Sequence, residues 1–107
     1  MRILILALLF SVFSYGQNIT TVHFNYKWND NNTYRGLDRL RNTKVQYAFV
    51  EDQSDAIKKS IKSVPTIIVF DEGIEVVRFE ANIMMQLEAT KKDIQAEIDK
   101  IMLEKFE

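Results

Sequence analysis

The stretch SVPTIIVF, Ser63 to Phe70, decides how the rest of the chain reads. Pro65 is the only proline in the sequence and opens an unbroken apolar run, Ile67 to Phe70. Proline is tolerated at the start of a strand, where its missing N–H removes no ladder bond, so the run reads as a buried strand. DEG (71–73) follows as a hairpin turn, with Gly73 supplying a positive φ. IEVVRFEA (74–81) then returns as the partner strand.

Outward toward the N-terminus, EDQSDAIKKSIK (51–62) places Ala56, Ile57 and Ile61 at helical spacing, with Ser54 or Asp52 as the cap. KVQYAFV (44–50) reads as a strand, and so does ITTVHFN (19–25), which alternates and is rich in β-branched residues. Between these two strands, Asp30, Asn31 and Asn32 are good N-caps for a helix over TYRGLDRLRN. Tyr34, Leu37 and Leu40 would share its inner face, and Gly36 weakens it by ~1 kcal/mol relative to alanine. Toward the C-terminus, NIMMQL (82–87) reads as a strand extension through Ile83, Met85 and Leu87, with a helix as the lesser option. Thr90 and Asp93 form a capping box. Ile94, Ile98, Ile101 and Met102 mark one face of a terminal helix.

The expected order is βαβαββα. Two strands joined through a helix imply a parallel unit, and the later hairpin lies beside it with helices on both faces. The fold class is α/β, three layers around a mixed four-stranded sheet.

At 107 residues and net charge −1, the chain is one domain with no basic surface that would advertise nucleic acid. It has no cysteine, which excludes disulfides, thiol catalysis and Cys-ligated metal, and its single histidine leaves little for metal binding. No metal or cofactor is expected. MRILILALLFSVFSYGQ (1–17) has the three-part layout of a signal peptide, cleaved near Gly16 or Gln17. Its apolar run, Ile3 to Phe13, falls short of the ~20 residues of a membrane span. The expectation is an exported protein, periplasmic or extracellular, with its folded domain at 18–107. Membrane attachment enters only if 1–17 is retained as an anchor.

VHFNYKWNDNNTY (22–34) runs a strand into Trp28 and four polar residues, the layout of a reactive turn, yet it holds no strong nucleophile. The polar quartet reads first as a helix cap. DNNTYRG does not complete a calcium loop, since its glycine is one place late and no glutamate closes it. Asn18 and Asn31 both begin glycosylation sequons. His23 reads as a satisfied core histidine that would make stability pH-dependent. Using His23 or Asp30 as an enzymatic acid or base lacks a companion nucleophile. Trp28 is either a core residue or an exposed platform, and Met84, Met85 and Met102 either fill core gaps or offer an adaptable contact surface.

In this element order, VHFNYKW, KSVPTIIVF and DEGIEVVRFEA together resemble thioredoxin over residues 18 to 107. They match the central strand leading to the family's active-site tryptophan, its cis-proline loop and its closing hairpin. The family's usual first strand and helix are missing or replaced by residues 1–17. In that family Cys-x-x-Cys follows the tryptophan, whereas here Asn29 and Asn32 hold the two cysteine positions. A carboxamide cannot become a thiolate, so dithiol oxidoreductase activity is not expected. His23 falls where the family has a buried acid, and Glu80 where many members have glycine. The resemblance implies a groove formed by Trp28, Asn29, Asn32, Val64 and Pro65, able to take a peptide or partner loop by strand addition. The expected function is a redox-inactive binding module for a protein or peptide. The alternative is a structural subunit that uses the fold as a brick.

Overall fold

In the computed structural model, which describes residues 18–105, β1 (Ile19–Asn25) is buried along its whole length and lies inside the sheet. Its parallel neighbour is β2 (Lys44–Phe49), and its antiparallel neighbour is β3 (Thr66–Asp71). β4 (Ile74–Glu80) pairs with β3, so the strand order is β2-β1-β3-β4. The expected signal segment, 1–17, lies outside the described residues.

The period-two alternation of β1 and β3 builds two cores. On one face Val22, Phe24, Ile68 and Phe70 pack with Val50, Ile57, Ile61 and Val64. On the other, Ile19, Ile67 and Val69 meet Leu37 and the Ile94, Ile98 and Ile101 stripe of the last helix. The helices are α1 (Asp55–Ser60) and α2 (Lys91–Lys105), one against each face. The three layers and the mixed four-stranded sheet are as expected.

Several local signals act as read. The Ser54 hydroxyl accepts from the Ile57 amide at 3.4 Å, capping α1. Thr90 and Asp93 bond reciprocally at 2.9 and 3.1 Å, closing the capping box. The hairpin turn needs two left-handed residues: Glu72 has φ 54° and Gly73 φ 82°, in a two-residue loop between paired Asp71 and Ile74. The Val64–Pro65 peptide bond is cis.

Two expectations fail, both through polar side chains. The helix expected over 33–42 is replaced by 3-10 turns at Lys27–Asn32 and Leu37–Arg39. The Thr33 hydroxyl donates to the Asp30 carbonyl at 2.6 Å, the kind of local bond by which Asp, Asn and Thr draw backbone away from helix. Gly36 then takes φ 90°, and a Cβ there would sit 2.6 Å from Lys91 Nζ. Leu37 is still fully buried, so the apolar spacing reports core contacts made without a helix.

The strand extension expected at 82–87 is a tight turn. The Asn82 side-chain oxygen accepts from the Met84 and Gln86 amides at 2.8 and 3.1 Å, and Met85 is left-handed at φ 61°. The helix within 51–62 is also shorter than its pattern, with a 3-10 turn at Val50–Asp52 leading into α1.

Candidate functional site

At the end of the sheet where β1 stops and β3 begins, a cavity of about 430 Å³ opens between three segments. Tyr26 and Trp28 form one wall, 61–64 the second, and Ala81, Asn82, Ile83 and Met85 the third. The Trp28 ring lies 5.7 Å from that of Tyr26, at 15° between planes, and Tyr26 is itself packed on the core. Trp28 is thus a supported platform, 64 % exposed. Ile83, on the third wall, is 98 % exposed, and its chain neighbour Met84 70 %. Single exposed apolar residues are ordinary, but a cluster of them at the mouth of a cavity is a mark of interaction surface.

The 63–66 loop is held from both sides. The Thr66 hydroxyl donates to the Ser63 carbonyl at 2.6 Å, and the Ala81 amide donates to the Pro65 carbonyl at 3.2 Å. Between those anchors, the Val64 amide and carbonyl make no hydrogen bond among the described residues. Unpaired backbone groups beside a groove are what strand addition uses.

Of the five groove residues read from the sequence, Trp28 and Val64 line this cavity. Pro65 is buried behind it. Asn29 and Asn32 are engaged elsewhere. Asn29 is buried, and its Nδ2 donates to Asn25 Oδ1 at 2.9 Å while Asn25 Nδ2 donates back to the Asn29 carbonyl at 2.9 Å. Asn25 Oδ1 also accepts from the Tyr26 amide at 3.0 Å. Asn32 Nδ2 closes the network on Asn29 Oδ1 at 2.6 Å. The two residues at the expected cysteine positions are therefore joined to each other by a hydrogen bond. Sequence reasoning misses Asn25 because a polar residue ending a strand is unremarkable there. It misses Ile83 and Met85 because 82–87 reads as a strand; Asn82, a strong turn former, is the available signal.

A second cavity, also about 430 Å³, lies over β1 and β2 beneath residues 30–38, with His23, Tyr34, Arg35, Asp38 and Tyr47 on its walls. His23 is buried, and its Nε2 accepts from the Tyr34 amide at 3.0 Å, so the neutral ring carries its proton on Nδ1. Burial pushes its pKa below the usual histidine value, opposed by its own backbone hydrogen bond and the Asp30 charge. This is the satisfied core histidine expected. Among the described residues no group of three or more His, Asp or Glu side chains is placed to hold a metal ion.

No known family model and no curated protein matches the sequence. Solved structures match the fold. Thioredoxin-2 of the malaria parasite is 19 % identical with a TM-score of 0.55, over 78 % of this chain and 82 % of that one. A point-mutant thioredoxin of Halobacterium salinarum is 17 % identical with a TM-score of 0.55, over 86 % and 80 %. A cysteine-to-serine mutant thioredoxin of Entamoeba histolytica is 18 % identical with a TM-score of 0.52, over 89 % and 92 %. At these identities the likeness is one of fold. The chain has a thioredoxin-like fold, and with no cysteine it has no thiol to enter thiol–disulfide exchange.

Proposed function

We propose that this thioredoxin-fold chain is a redox-inactive module that binds an extended peptide or partner loop in the groove between Trp28, Val64 and the 82–85 turn. One observation carries the reading: the unpaired Val64 backbone faces a cavity whose other walls carry exposed Trp28, Ile83 and Met85. A bound strand would take main-chain hydrogen bonds from Val64 and seat apolar side chains between Trp28 and Ile83. The unbranched Met85 on the third wall suits occupants of varied shape. None of these interactions needs sulfur chemistry. The signal-like segment 1–17 supports placing this activity outside the cytoplasm, and N-terminal sequencing of the mature protein should find a start near Gln17.

Trp28 is the only tryptophan, so its fluorescence reports the groove directly. Selection of a displayed random-peptide library on the purified protein should enrich extended apolar sequences. The selected peptides should shift the Trp28 emission, and their binding should be lost on Ile83→Asp. Enriched peptides that leave the emission unchanged and bind Ile83→Asp equally well would contradict the groove.

A further inference from the structure

The two edges of the sheet are built differently. β4 is a guarded edge: it carries Glu75, Arg78 and Glu80, with Arg78 bonded to Glu75 at 2.8 Å, and its ladder is interrupted by a register shift opposite Val69 and Phe70. Charges and irregularity of this kind prevent further pairing. β2 has neither guard. Its six residues pair with β1 in unbroken register, and Lys44, at its first position, is its only charge. Tyr47 and Phe49 are exposed on it, 54 % and 39 %. Among the described residues no strand covers its outer side.

The charges flanking β2 say what kind of strand fits. Arg39, Arg41 and Lys44 stand at or before its start, outnumbering Asp38 beside them, and Glu51, Asp52 and Asp55 follow its end, so the start is the more basic end and the finish the acidic one. Lys27 meets Asp52 at 3.5 Å, but both side chains are more than half exposed, so the acidic end stays open to a further cation. A strand laid alongside in the same direction would face like charges. A second copy laid antiparallel would face opposite ones.

We propose that β2 is a homodimer edge, pairing antiparallel with β2 of a second copy about a two-fold axis at Tyr47. That register sets Tyr47 opposite Tyr47 and Val45 opposite Phe49 of the second copy, an aromatic and β-branched pairing that stabilises antiparallel ladders. It also brings Arg41 beside the Asp52 end of the second copy. Because the axis is two-fold, each contact away from the axis occurs twice and the surface closes on itself. The groove at Trp28 and Ile83 is not used by this contact and needs no part in it.

Sedimentation equilibrium of the mature chain tests the state, and single cysteines, clean in a chain that has none, test the register. The wild type should be a dimer that dissociates as salt rises, because the end charges are exposed and screened. Tyr47→Lys, which sets two ammonium groups against each other on the axis, should be monomeric with an unchanged circular dichroism spectrum. Arg41→Glu should weaken the dimer and Arg41→Glu with Asp52→Lys should restore it. Mild oxidation should link Tyr47→Cys into a covalent dimer and leave Val76→Cys on the β4 edge unlinked. A wild type that is monomeric at every concentration overturns the proposal, as does a dimer that survives Tyr47→Lys. If Tyr47→Lys fails to fold, a dimer in which Tyr47→Cys does not cross-link overturns it equally. A monomer that takes an unrelated extended peptide on β2 would overturn the second copy as occupant.

Discussion

Two turns meet at the same end of the sheet and treat their side chains in opposite ways. The turn after β1 folds inward: Asn25, Asn29 and Asn32 satisfy one another and the adjoining backbone, and the first two are buried. The turn after β4 folds outward: Asn82 ties up the backbone while Ile83 and Met84 stand in solvent. In the fold's cysteine-bearing form, the inward turn is where the resemblance places the reagent. Here it is internal structure, held by carboxamides, and the exposed apolar residues lie on the rim beside it. Buried polar groups that are fully paired specify geometry, whereas exposed apolar ones contribute little to folding and much to association.

The contrast breaks most sharply at the inward turn. Asn25→Ala removes the partner of the Tyr26 amide and of both Asn29 groups, and should lower stability by about 2–3 kcal/mol in urea unfolding. Asn29→Ala should fall in the same direction, and the double variant should lose less than the sum, since the two share their bonds. Gly36→Ala should follow, at about 1–2 kcal/mol, from holding a left-handed alanine at φ 90° against Lys91. At the outward turn Ile83→Ser should change stability by no more than about 0.5 kcal/mol, while removing peptide binding. Equal destabilisation by Asn29→Ala and Ile83→Ser would erase the distinction between the two turns.

A smaller effect sharpens it through pH. Burial lowers the folded pKa of His23, so the folded state favours the neutral ring. Its contribution is therefore full above the unfolded value of about 6.5 and is lost as pH falls through that value toward the lowered folded one. Protonation would also turn Nε2 from acceptor to donor against the Tyr34 amide. Unfolding followed between about pH 7 and 5 should show this loss in the wild type and not in His23→Gln. The inward-turn network, made of carboxamides, should be indifferent over the same range.

The features legible in the sequence are those with one dominant local cause. Pro65 before four apolar residues, Gly73 in a two-residue hairpin and the Thr90–Asp93 pair each specify a conformation almost alone, and each stands as read. The spacing of Tyr34, Leu37 and Leu40 correctly marks a face that packs on the core, but the helix it implies does not form. Thr33 and Gly36 redirect the backbone, and side chains spaced this way reach a core without α-helical geometry. At 82–87 the alternation of Ile83, Met85 and Leu87 looks like a strand, while Asn82, through two side-chain bonds, commits the chain to a turn. The candidate groove is half legible for the same reason: Trp28 and Val64 flank strands that form as read, whereas Ile83 and Met85 belong to a segment that does not.

The most direct test of the groove is photo-crosslinking in the native host, with a photoreactive residue in place of Trp28 and, as the control, in place of exposed Lys92. A discrete adduct from position 28, absent from position 92 and abolished by adding Ile83→Asp, is the predicted result. No adduct from position 28, or the same labelling from both positions, would contradict it and leave the fold acting as a structural brick.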